Sequence, residues 1–225
     1  MAAAMTDRLW RASTPETIEA DLAAVWRDVT KEGPVARAMM SNLVVVRTPR
    51  SGWPERRKGV SIDDVAAQHP SRVLIIDHES CTGIARPTDT RVGVVVFGPP
   101  SARYGVEQIA VRSACVDESL PSLVRRLVRG GLPISTWWAE DLSEAPLIAS
   151  IIAMGRQLVY DSRCWQDLER GVKVLQPWRH LDLADVNWRR LAAVRRAIVY
   201  AAQGEEEWSP ETVRVAHRAD ERALA

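Results

Sequence analysis

The sequence predicts an α/β fold: a mixed, mainly parallel sheet with flanking helices and an N-terminal amphipathic helix, layered like a Rossmann fold but lacking a dinucleotide fingerprint. Three observations carry that prediction. Apolar β-branched runs alternate with stretches of helical periodicity, and two such runs flank one short helix in the order of a βαβ unit. No G-x-G-x-x-G follows any of the runs.

Each element has its own signal. Ser13 or Thr14 followed by Pro15 and Glu16 marks a helix start, after which Ile18, Leu22, Val25, Trp26 and Val29 recur at helical spacing until Gly33-Pro34. Residues 42–46 are an apolar β-branched run with the composition of a buried strand. The following loop, from Pro49 to Gly59, is rich in Pro, Gly and Arg and has Trp53 at its middle. Ser61 with Asp64 opens a short helix that ends near His69-Pro70, because a residue before proline is steered out of the α region. A second strand is expected over 72–76, and the His69-Pro70-Ser71 turn aims it, with Arg72 placed to pair with a carboxylate. Two further runs, 91–97 and 106–114, flank Gly98 to Gly105 and predict a hairpin.

Asp117 or Ser119 caps the next helix, whose stripe is Leu120, Leu123, Val124, Leu127 and Val128, and Gly130-Gly131 end it. The strand Leu132-Pro133-Ile134-Ser135-Thr136-Trp137-Trp138 follows at once. Neighbouring strand residues point to opposite faces, so one indole enters a core while the other needs cover from a helix, a loop or another protein. A helix over 146–154 leads to a strand over 157–160 that ends at Asp161-Ser162. Asp185 caps a final helix whose apolar arc holds Trp188, Leu191, Ile198 and Val199, with Arg189, Arg190 and Arg196 outside it. One domain is expected over 1–203, with an acidic, loose tail over 204–225.

Composition narrows the function classes. The 225 residues carry 30 basic and 29 acidic side chains, a formal charge of +1, so no global field draws the chain to nucleic acid or an anionic membrane. Lys31, Lys58 and Lys173 are the only lysines. The basic loop residues Arg50, Arg56, Arg57 and Lys58 around Trp53 offer too few charges for tight phosphate binding. The N-terminus lacks the order of a signal peptide and no apolar run is long enough to span a bilayer, which places the chain in the cytoplasm. Cys81, Cys115 and Cys164 are odd in number and lack C-x-x-C spacing, so neither a disulfide framework nor a zinc site is expected, while a redox-sensing pair stays open.

Chemistry-bearing motifs are absent. There is no P-loop, no H-E-x-x-H and no G-x-S-x-G, and His69, His78, His180 and His217 are scattered. One constellation keeps an enzyme in view. Asp77-His78-Glu79 and Asp161 stand at strand ends, where carboxylates could hold a divalent cation for a metal-dependent hydrolase or phosphoryl-handling site. Nine tryptophans against one Phe and three Tyr argue instead for recognition of another macromolecule, since indoles are favoured interface anchors. One of Trp137 and Trp138, together with Trp53, Trp178 and Arg179, are the anchor candidates.

Read in order, Asn42-Leu43-Val44-Val45-Val46, His69-Pro70-Ser71-Arg72-Val73, Leu132 to Trp138, Leu158-Val159-Tyr160-Asp161-Ser162 and Asp185-Val186-Asn187-Trp188-Arg189-Arg190-Leu191 resemble the OpcA family, the glucose-6-phosphate dehydrogenase assembly proteins. The resemblance spans roughly residues 10 to 195, taken as one ordered domain. It implies a cofactor-free, non-catalytic cytoplasmic protein that binds glucose-6-phosphate dehydrogenase and promotes its active form, affecting NADPH supply. Typical members continue into a further C-terminal region, whereas this chain stops soon after Trp208-Ser209-Pro210.

Overall fold

The computed structural model describes residues 5–47, 61–79, 89–114, 120–142 and 148–202. Among them, strands β1 (Met5–Ser13), β2 (Ala36–Arg37), β3 (Ser41–Arg47), β4 (Ser71–Glu79), β5 (Asp89–Phe97), β6 (Tyr104–Ala114), β7 (Ile134–Trp138), β8 (Gln157–Tyr160) and β9 (Asp182–Asp185) build one nine-stranded sheet. Its order is β1-β5-β6-β4-β3-β7-β8-β9, with β2 paired to β6. From β6 through β9 all neighbours run parallel, while β5 is antiparallel to both β1 and β6. The expected mixed, mainly parallel α/β sheet is therefore what forms.

The helices are α1 (Ile18–Thr30), α2 (Ile62–Gln68), α3 (Leu120–Leu127), α4 (Ile148–Ile152), α5 (Leu168–Leu175), α6 (Val186–Arg190) and α7 (Ala192–Ala202). β3 lies at the point where the winding reverses. The β3-α2-β4 crossover steps to one side of β3, and the connection from β6 through α3 returns to β7 on the other side. Right-handed crossovers in opposite directions must use opposite faces. Accordingly Ile62 and Ala66 of α2 pack on one face, whereas α1, α3, α4 and Leu175 of α5 pack on the other.

The alternation of strand residues divides the core in two. Val44, Val46, Leu74, Ile76, Val92, Val94, Ile109 and Trp138 join the cluster beneath α1 and α3, while Val45, Val73, Ile75, Val95, Phe97 and Trp137 join the one beneath α2. α1 uses the predicted residues Ile18, Leu22, Val25 and Val29, all buried. α2 starts on the expected Ser61-Asp64 pair, a capping box in which Ser61 Oγ accepts from the Asp64 N–H at 3.1 Å and Asp64 Oδ2 accepts from the Ser61 N–H at 2.9 Å. Those bonds hold the Asp64 carboxyl below its ordinary range.

Arg72, at the start of β4, lies on the α1 and α3 side and is 1% exposed. Its guanidinium donates to the Leu127 carbonyl at 2.7 Å, which satisfies the C-terminal end of α3, and it stands 3.0 Å from Glu107 Oε2 and 2.8 Å from Glu19 Oε1. Glu107 of β6, equally buried, also accepts from the Trp26 indole N–H at 2.8 Å and pairs with Arg37. The expected Arg72 pairing is thus a clasp joining α1, α3, β4 and β6. Asn42 makes a second link, its side chain bonding the backbone at Arg129 on both its amide atoms, which fixes the approach to β7.

Four elements were not anticipated from the sequence: β1, β2, α5 and β9. The predicted final helix is instead two, α6 and α7, broken at Leu191. Among the described residues no helix is long and apolar enough to cross a membrane.

Candidate functional site

The parallel strands β8 and β9 deliver a polar cluster to the C-terminal side of the sheet. Asp161 caps a short 3-10 turn, Ser162–Cys164, by accepting from the Arg163 N–H at 3.2 Å, and its other oxygen accepts from Arg190 at 2.7 Å. Asp185 caps α6 by accepting from the Asn187 N–H at 2.9 Å and also accepts from the Ser162 hydroxyl at 2.8 Å. Asn187 Nδ2 donates back to Ser162 Oγ at 3.2 Å. Both aspartates are therefore caps, as expected for Asp185. The serine proton goes to a capping carboxylate that already holds backbone N–H groups, so the cluster positions α6 rather than activating a nucleophile.

That positioning has a consequence for the next residue. With Asn187 turned inward, Trp188 turns outward and is 59% exposed, its ring lying 3.7 Å from the Arg195 guanidinium in a cation–π contact. α7 then leaves the body of the fold, with Val194, Ile198, Val199 and Tyr200 all exposed. The sequence reading placed Trp188, Ile198 and Val199 on an inward arc. The break at Leu191 corrects this, because α7 no longer continues the face that Asp185 anchors.

Exposure of large apolar groups is concentrated here. Of ten such residues among those described, eight lie between Leu168 and Tyr200: Leu168, Val172, Leu183, Trp188, Val194, Ile198, Val199 and Tyr200. They come from α5, β9, α6 and α7, of which β9 is an edge strand of the described sheet and α6 packs against both β9 and α7. Edge strands and apolar surface together are what association surfaces offer.

The predicted anchors separate sharply. Trp137 and Trp138 enter opposite faces as their alternation requires, and of the covers expected for the second indole, a helix, a loop or another protein, the chain itself supplies one. Trp178 is half-buried against the larger cluster and tilts against His180 at 6.0 Å, and Arg179 beside it is exposed. Trp53, Cys81 and Cys115 lie outside the described residues, and Cys164 is half-buried. Trp165, which the sequence reading did not single out, is core: it stacks on Tyr160 at 5.2 Å and lies so close to Gly171 that a Cβ there would meet the ring at 2.4 Å. Burial, and secondarily the Asp185 charge, pushes the Tyr160 phenol up.

The metal-site alternative does not survive the register. Asp77 aligns with Arg47, Val46 with Trp138, and Trp138 with Tyr160, so Asp77 and Asp161 stand three strand intervals apart, about 14 Å at the usual spacing. Asp77 is engaged by Arg47 at 2.6 Å and Asp161 by Arg190. Among the described residues no group of three potential metal ligands comes together.

Comparison with known families decides the relationship. The model described as the glucose-6-phosphate dehydrogenase subunit N-terminal domain, of the OpcA assembly type, matches residues 62–177. The chain belongs to the OpcA family. The stretch matched runs from α2 through α5 into the turn that bears Trp178, so it takes in β4 to β8, with the Trp137-Trp138 strand, but not β3, β9, α6 or α7. No curated protein and no solved structure matched the chain.

Proposed function

We propose that the protein is a non-catalytic binding partner of glucose-6-phosphate dehydrogenase that promotes assembly or activity of that enzyme in the cytoplasm, and so raises NADPH output of the oxidative pentose phosphate pathway. Membership of a family named for that assembly role supports the reading. The observation that carries it is the concentration of exposed apolar side chains on α5, β9, α6 and α7. Apolar side chains exposed on contacting elements, as on β9, α6 and α7, are a feature of association surfaces.

In this reading Trp188 and Tyr200 are the central anchors, with Ile198 and Val199 between them on α7 and Trp178 with Arg179 at the margin. Trp, Tyr and Arg are the residue types that dominate binding energy at interfaces. A protein without reactive groups changes an enzyme only by binding one of its states more tightly than another, and its effect is limited to that difference.

Mixing the full chain with glucose-6-phosphate dehydrogenase from the same organism tests the proposal. Co-elution on size exclusion, a shift in the enzyme's oligomeric state and a faster rate of NADPH formation are expected. Separate elution with an unchanged rate would refute it.

A further inference from the structure

The face of the sheet that carries α2 holds a cleft of about 250 Å³ beside the start of that helix. Its floor follows from the register. Ile75, Ala110 and Arg91 are aligned across β4, β6 and β5, and Gln108, Gly93 and Trp10 are aligned across β6, β5 and β1. The small residues Ala110 and Gly93 make the depression. A Cβ on Gly93 would lie 2.8 Å from the Trp10 ring, so the missing side chain is what lets the indole lie down as one wall.

The charges around this floor are arranged rather than scattered. Asp63 accepts from Arg8 and, at 2.8 Å, from Gln108 Nε2, while Asp77 accepts from Arg47 at 2.6 Å. Each of those guanidiniums is oriented by its own carboxylate. Arg91 has no hydrogen bond or ion pair among the described residues, yet lines the same cleft. Among the described residues that line the cleft, three guanidiniums stand against two carboxylates, and Arg91 carries the charge that no carboxylate there matches. Arg47 and Asp77 place one side of the cleft at the carboxyl ends of β3 and β4, where open α/β sheets receive their ligands.

We propose that this cleft binds a small phosphorylated, hydroxyl-bearing metabolite, independently of any protein partner. Arg91 takes the phosphate; Asp63 and Asp77 accept hydroxyl protons; the Trp10 ring receives the flat apolar face of a sugar or base. The volume suits a single small metabolite and lies below that of pockets for larger ligands. Guanidinium is the group best matched to phosphate oxygens.

Isothermal titration of the full chain alone with inorganic phosphate, glucose 6-phosphate and AMP tests this. One of the two organic phosphates is expected to bind saturably at one per chain and more tightly than inorganic phosphate; which of them does so identifies a sugar or a nucleotide as the source. Arg91→Ala, at an exposed position, is expected to weaken that binding roughly tenfold or more, as for loss of a charge-assisted contact. Trp10→Leu is expected to bring the organic probe down to the level of inorganic phosphate. Absence of binding by all three probes, equal affinity for all three, or binding unchanged in Arg91→Ala in a variant that melts like the parent would each overturn the proposal.

Discussion

Arg72→Ala is expected to lower the unfolding free energy by about 3–5 kcal/mol, enough to unfold many domains of this size. The cause is less the lost attraction than what remains. Glu107 is 1% exposed and would be left, among the described residues, with Arg37 and the Trp26 indole as partners, while the Leu127 carbonyl at the end of α3 would lose its donor. A paired variant, Arg72→Met with Glu107→Leu, removes both charges and is expected to be more stable than either single variant. Urea unfolding followed by circular dichroism reads both effects. A single Arg72 variant as stable as the parent would contradict the role of this clasp.

Trp138→Ala is expected to cost about 3–5 kcal/mol as well, by a different route. The ring is 5% exposed and belongs to the larger core cluster on that face of the sheet, and its removal leaves a cavity that close-packed neighbours fill only in part. Trp188→Ala removes as large a ring yet is expected to change stability by no more than about 0.5 kcal/mol, because that ring is already mostly in solvent. Thermal melts of the two variants side by side distinguish an indole that builds the fold from one that faces outward.

The contrast between these two tryptophans also marks how much the sequence could convey. Periodicity placed α1, β3, the Ser61 start of α2, the hairpin of β5 and β6, α3 and the Trp137-Trp138 strand close to where they form, because each buries a regular apolar stripe. β1 escaped notice: it is an edge strand carrying Arg8 and Arg11 between its apolar residues, and only its pairing with β5 makes it a strand. β9 is four residues, Asp-Leu-Ala-Asp, too short for any pattern. α5 was hidden by Gly171, a weak helix former whose missing side chain is required by the Trp165 ring.

The candidate surface was less legible than the fold, for a physical reason. A large apolar residue reads the same in sequence whether it faces a core or a partner, so one of Trp137 and Trp138 is expected as an anchor and Trp188 and Ile198 as an inward arc, whereas burial puts the first two inside and the second two outside. One local signal was available. Asp185 followed by Asn187 indicates a cap that turns Asn187 toward Ser162, which forces Trp188 to the other side. The Asp77 and Asp161 alternative failed for a related reason, since strand ends are readable in sequence but strand order is not.

The most direct test of the central claim is the dissociation constant of the complex with glucose-6-phosphate dehydrogenase for Trp188→Ala and Tyr200→Ala, set against Met40→Ala, an exposed apolar residue elsewhere on the surface. If the C-terminal elements are the docking surface, each of the first two weakens binding by about 2 kcal/mol, near thirtyfold, with melting temperature unchanged, and the third does nothing. Equal affinity across all three variants and the parent would contradict it.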